Sequence, residues 1–139
     1  MAFVSPKPDA FADAASKKYA VTRNLGELFW TQYPGHFNQA LSKAIVTPAT
    51  VGSRFFDYRI SSYEPGAHVE SHVHAVQEQI YHVLDGEGLM TIDGRDHVVR
   101  RHDVIFLPPG VEHAIENSGL VDLVFLVITS PVTDEGNSA

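Results

Sequence analysis

The chain has 139 residues, 44% of them hydrophobic, which is enough for one globular domain with a core and little beyond it. Ten basic against seventeen acidic residues give a formal charge of −7, which argues against a nucleic-acid partner but not against an anionic small molecule, because a divalent ion can dominate a local field. There is no cysteine for disulfides or thiolate ligands, and no apolar run approaches a membrane span. Residues 1 to 20 carry Lys7, Asp9, Asp13, Lys17 and Lys18 and lack the apolar stretch of a signal peptide, so a cytoplasmic protein with no membrane partner is expected.

In chain order, residues 1 to about 10 hold Pro6 and Pro8 and read as an arm. Ala10 to Val21 suits one short helix, and Asn24 to Trp30 a second short element, neither long enough to stand alone. Phe29, Trp30, Tyr33 and Phe37 then cluster without a defensible period and are expected to pack on the outside of a sheet. From Arg54 onward short β-forming runs alternate with turn residues. Phe55–Tyr63 ends at Glu64-Pro65-Gly66; Ala67–His74 and Gln79–Leu84 follow, the latter closed by Asp85-Gly86. Gly88–Ile92 and Arg95–Arg100 flank Asp93-Gly94, a pair suited to a tight hairpin with positive φ. Val104–Leu107, Glu112–Asn117 and Leu120–Thr129 complete the set, Pro131 breaks the last strand, and Thr133–Ala139 reads as a frayed tail. The expected division is a wrapping segment over residues 1–53, a β domain over 54–130 and a tail over 131–139. The expected fold is an all-β double-stranded β-helix, a jelly-roll barrel, preceded by a short, partly helical segment.

Two histidines at i and i+2 on a strand face the same side, so His72 and His74 can converge on one ion. His113 arrives behind the turn Pro108-Pro109-Gly110. Imidazole is the commonest protein ligand of divalent transition metals, and three convergent imidazoles make a site.

These blocks resemble the two motifs of the cupin superfamily. The first runs Gly66, His72, His74, Gln79, Gly86, and the second runs position 102, Pro108, Gly110, His113, Asn117. The spacer between them resembles that of the small single-domain microbial members. Two positions depart from the family pattern: its glutamate is Gln79, and the glycine opening its second motif is His102. The neighbouring Glu78 is an alternative fourth ligand, but the run Gln79–Gly86 keeps the family register only if Gln79 faces inward, and adjacent strand residues face opposite sides. Some cupins that open or isomerise sugar acids, and some that cyclise polyketides, are similar in carrying glutamine there.

The resemblance implies a mononuclear site for one divalent transition metal (Fe, Mn, Ni, Co, Zn or Cu) held by His72, His74, Gln79 and His113. Replacing a carboxylate by an amide leaves one more unit of positive charge at the ion, which favours Lewis-acid chemistry over stabilising an oxidised metal. Strand parity adds Tyr81, on the face of Gln79, and His68 and Glu70, on the face of His72, as candidate catalytic residues. The expected function is a metal-dependent enzyme acting on a small oxygenated substrate (sugar acid, hydroxy acid, diketone or aromatic) by isomerisation, cyclisation or lysis. An oxygen-dependent ferrous dioxygenase and a non-catalytic small-molecule-binding protein are the alternatives. The family also implies a homodimer covering one sheet face.

Overall fold

The computed structural model describes residues 20–135. The helix expected over Ala10 to Val21 therefore lies almost wholly outside the described residues, as does the arm before it. Asn24–Trp30 contributes a single 3₁₀ turn, Leu25–Glu27, where the Asn24 side chain accepts from the Gly26 N–H.

Ten strands follow: β1 (His36–Phe37), β2 (Ala40–Val46), β3 (Asp57–Tyr63), β4 (His68–Val69), β5 (Glu78–Asp85), β6 (Glu87–Ile92), β7 (Arg95–Arg100), β8 (Val104–Leu107), β9 (His113–Glu116) and β10 (Leu123–Ser130). One helical turn, α1 (Pro48–Val51), joins β2 to β3 and is held at its start by reciprocal Thr47 and Thr50 side-chain bonds. All pairing is antiparallel, in two five-stranded sheets of order β1-β4-β9-β6-β7 and β2-β3-β10-β5-β8.

This corrects the expectation of a jelly-roll barrel. Neither sheet closes or curls onto the other: β1 and β7 end one ladder, β2 and β8 end the other, and no strand is shared between them. The fold is all-β and cupin-like, but it is two separate sheets. What joins them is burial of side chains from both, notably Tyr63, Tyr81, Val83, Leu107, Leu123 and Phe125 from one and Val69, Met90, Val99 and Ile115 from the other.

Alternation drives this burial. In β5, Gln79, Tyr81 and Val83 are buried while Glu78 and Ile80 are exposed, and in β10 Leu123, Phe125 and Thr129 point inward. Asp93 and Gly94 both have positive φ, 48° and 79°, so the β6–β7 hairpin turns as expected. His102 has φ of 71°, which explains why the family pattern carries glycine there: the turn into β8 needs a left-handed residue. Gly86 also has positive φ, and a β-carbon on it would run into the Asp122 carbonyl.

Two stretches depart from the sequence reading. β2 lies in the expected wrapping segment, yet it is hydrogen-bonded along β3 and presents Ala40 and Ser42 to the interior, where Ser42 Oγ meets Ser61 Oγ at 2.8 Å. Ala67–His74 is not one strand: pairing stops after Val69, and His72 resumes it only as an isolated bridge to His113.

Asn117 ties the sheets' ends together. Its amide donates to the carbonyls of Tyr63 and Val121 at 2.7 and 2.8 Å, and its oxygen accepts from Gly119 N–H at 2.9 Å, all while 3% exposed. Asn117→Ala strands buried backbone groups without partners, at about 1–3 kcal/mol for each one left unsatisfied. Chemical denaturation should register that loss as a lower midpoint with little change in slope, and an unchanged midpoint would show the turn to be held otherwise.

Candidate metal centre

Backbone pairing builds this site. His72 N–H donates to the His113 carbonyl at 3.0 Å and His113 N–H returns to the His72 carbonyl at 2.9 Å. Directly opposed antiparallel residues point to one face, and the two imidazole rings stand 4.2 Å apart. His74, two residues on, is fixed by its carbonyl, which accepts from Gly110 N–H of the Pro108-Pro109-Gly110 turn at 2.8 Å. One ligand atom from each of the three rings lies within 4.8 Å of the others. This cluster can chelate a divalent metal.

The outer nitrogens are already engaged. His72 Nδ1 lies 2.9 Å from the Glu70 carbonyl and His113 Nδ1 2.9 Å from the Val111 carbonyl. Carbonyls only accept, so each Nδ1 carries a ring proton, and in the neutral imidazole that leaves the Nε2 lone pair free. Burial holds His113 far below the ordinary histidine value, at about 4, so the ring is neutral near pH 7. Burial, reinforced by His72, lowers His74 as well.

Two observations test whether an ion fits. His74 Nε2 is buried with no hydrogen-bond partner, an orphan that a cation would satisfy. Gln79, 7% exposed, sets its Oε1 2.9 Å from His113 Nε2 while its amide N–H donates to Thr129 Oγ1. With the His113 proton on Nδ1, that contact opposes two lone pairs. Turning the amide over would satisfy the pair without an ion, but the orientation present aims oxygen at nitrogen, and about 3 Å is the spacing of adjacent donors around one small cation. The residues fit the group.

His72, His74, Gln79, Glu70 and Tyr81 border one open cavity of 440 Å³, within the range of small-molecule sites, while His113 lies buried behind them against Gln79. Tyr81 is 5% exposed, stacked on Phe125 and edge-on to His113; burial pushes its hydroxyl above the ordinary range, so it stays neutral. Glu70 lies on the rim with its side chain against Gly35. His68 does not join them: it stacks on Phe37 and borders a separate depression, because the break after Val69 ends the parity that would have aligned it with His72. Glu78 is exposed on the far face of β5.

Sequence reading missed several groups. Tyr33, His36, Asp57 and Arg59 line the cavity from β1, β3 and the loop before β1. Asp134, from the expected frayed tail, accepts from the N–H groups of Ala75, Val76 and Gln77 at 2.9, 2.6 and 3.0 Å and lies 3.6 Å from His74 Nδ1. Those amides, Val76 foremost, hold its carboxyl below the usual range. Asp-Glu in a polar tail gives no sequence signal for this.

A family model described as Cupin domain matches residues 59–129. The chain is 41% identical over 64 residues to the oxalate-binding protein of Thermotoga maritima, covering 46% of this chain and 53% of that one. It is 25% identical over 99 residues to the tetracenomycin polyketide synthase protein TcmJ of Streptomyces glaucescens, covering 71% and 66%. It spans about half the length of the first curated relatives it matches. Among crystal structures, a predicted oxalate decarboxylase from Thermotoga maritima superposes with a TM-score of 0.72 at 24% identity, over 80% of this chain and 99% of that one. The polyketide cyclase RemF from Streptomyces resistomycificus gives 0.72 at 19%, over 83% and 81%. At these identities the likeness is of fold.

His72→Ala, His74→Ala and His113→Ala should each lose most bound metal by elemental analysis while keeping the native circular dichroism. Asp134→Ala, which frees the 75–77 loop and one side of His74, should weaken metal binding by about 10–100-fold. Full occupancy in any two of the histidine variants would place the ion elsewhere, and unchanged affinity in Asp134→Ala would reduce that carboxylate to a loop fastener.

Proposed function

The chain belongs to the cupin-domain family, and from that premise we propose that it is a mononuclear metal-dependent enzyme acting on a small oxygenated organic molecule by redox-neutral isomerisation, cyclisation or lysis. The observation that carries the proposal is the donor set: three imidazoles converging within 4.8 Å beside the buried amide oxygen of Gln79. His72, His74, His113 and Gln79 would hold the ion. Bound there, a divalent cation would polarise a carbonyl or carboxylate oxygen of the substrate.

The remaining residues have derivable work. The Glu70 and Val111 carbonyls orient the His72 and His113 imidazoles with their Nε2 atoms inward, and Asp134 lies 3.6 Å from the outer nitrogen of His74. The uncharged Gln79 leaves the ion's full charge for the substrate, where a carboxylate would have offset part of it. Tyr81 offers a neutral phenol at the cavity wall and can donate a hydrogen bond to a developing oxyanion without losing its proton. Glu70, exposed at the cavity's edge, can reach both a ligand and solvent.

A second reading, binding without turnover, is favoured by the likeness to the oxalate-binding protein. Screening the protein, loaded in turn with each metal, against hydroxy acids, diketones, catechols and unsaturated uronates, with and without oxygen, separates these readings. Turnover under nitrogen by zinc- or nickel-loaded protein supports the proposal, a strict need for ferrous ion and oxygen replaces it with a dioxygenase, and tight binding without product leaves a binding protein.

Gln79→Glu sharpens the test. If the amide oxygen is a ligand, the carboxylate should hold metal at least as tightly in a chelator competition, yet turnover should fall because the electrophile is weaker. A variant unchanged in both would remove Gln79 from the ligand set.

The outer face of the β2-β3-β10-β5-β8 sheet supports a reading of assembly. Ile80, Val104 and Phe106 lie side by side there, 38%, 61% and 56% exposed. We assign this face to a homodimer, which should bury about 1,000 Å² or more. Sedimentation of a monomer at micromolar concentration would remove that assignment.

A further inference from the structure

The interior-facing wall of β3 holds a charged pair that the metal chemistry does not use. Arg59 Nε and Nη2 donate to Asp57 Oδ1 and Oδ2 at 2.8 and 3.0 Å, and the guanidinium lies 4.7 Å from the centre of the Tyr33 ring. Among the described residues lining the cavity, Arg59 is the one lysine or arginine. It stands on the same wall as Gln79, two strands away: Asp57 pairs with Thr129, and Thr129 with Gln79. Two strand spacings amount to about 10 Å between the ligand end and this pair.

We infer that Arg59, braced by Asp57 and Tyr33, is the recognition group for a carboxylate at the end of the substrate remote from the histidines, so that the substrate is a small dicarboxylate or an acid with a second anionic group. This deepens, and rests on, the metal-enzyme reading above.

Three considerations support it. An ion pair beside an open cavity contributes little stability, so its fixed geometry is better explained by presentation than by support. Asp57 occupies the Nε–Nη2 edge, so Nη1 is the nitrogen that Asp57 does not engage, and a fork held by Asp57 on one edge and by Tyr33 beside it loses little freedom on binding. The charges also agree. Arg59 offsets one of the two carboxylates lining the cavity, Asp57 and Glu70, so a divalent ion held by neutral imidazoles and a neutral amide leaves the lining net positive.

The test uses two probes with one chelating end. 2-Oxoglutarate carries a distal carboxylate, and 2-oxopentanoate carries a methyl group instead. Titrated into cobalt-loaded protein and followed by the visible bands, the dicarboxylate should bind at least about tenfold more tightly than the monocarboxylate. Arg59→Met should abolish that preference while leaving cobalt affinity and 2-oxopentanoate binding unchanged, and Arg59→Lys should keep part of it. Because Arg59→Met leaves Asp57 unpaired, the double variant Asp57→Asn/Arg59→Met provides the same reading without a stranded charge.

Equal binding of the two probes by the natural protein, or a preference that survives in both variants, overturns the assignment while the metal reading stands. Should cobalt not bind at all, the metal reading falls by itself. Arg59 is then judged in metal-free, ¹⁵N-labelled protein, where glutarate should shift the Arg59 Nε–H resonance and 1,5-pentanediol should not. No shift with glutarate overturns the assignment there too.

Discussion

Everything at the centre hangs on one pair of backbone hydrogen bonds, the isolated bridge between His72 and His113. It is the point where β9 continues past its partner β4 and meets a chain segment that has already left the ladder. Because opposed residues in an antiparallel pair share a face, the bridge decides that two rings far apart in sequence converge. His74 then needs only to sit two residues further along, and its carbonyl is tied to the turn that delivers His113. Ligand geometry is thus set by main-chain bonds, which do not depend on an ion being present.

The second constraint is electrostatic. A neutral histidine with Nδ1 bonded to a carbonyl has one lone pair left, and at His113 that lone pair meets the oxygen of Gln79. Burial prevents the ring from resolving the conflict by taking a second proton. The Gln79 amide is in turn held by Thr129 on β10. Donors aimed at one another in a partly buried pocket, with the His74 orphan beside them, are poorly arranged for a protein-only interior and well arranged for a cation.

The parts of this legible from sequence were those carried by period-two alternation and by turn chemistry. Gln79 inward and Glu78 outward follow from β5 being regular, and the Asp93-Gly94 hairpin from residues that accept positive φ. The illegible parts have physical causes. β2 hides because its first two inward residues are small rather than β-branched, Ala40 apolar and Ser42 polar, the latter bonded to Ser61. His68 was misaligned with His72 because parity survives only as long as the ladder does. Closure was misjudged because alternation specifies two apolar faces, and two faces can be buried by opposed sheets as well as by a closed one. Asp134 was invisible because its partners are three backbone N–H groups, which every sequence possesses.

The cavity therefore has a division of labour that follows from the topology. The histidines lie on β9 and on the chain beyond β4, while Asp57 and Arg59 lie on β3 in the opposite sheet. β10 separates β3 from β5, so Gln79 and the charged pair share a wall without touching, and the intervening positions are Thr129 and Val127. A substitution in β3 can then change what the far end of a ligand must carry without moving any donor atom of the histidine cluster, and its effect should add to one at the cluster unless the ligand bridges both. Coupling between the two ends is consequently a property of the bound molecule rather than of the protein. A ligand too short to reach β3 would experience only the metal end, and its affinity would be indifferent to Arg59.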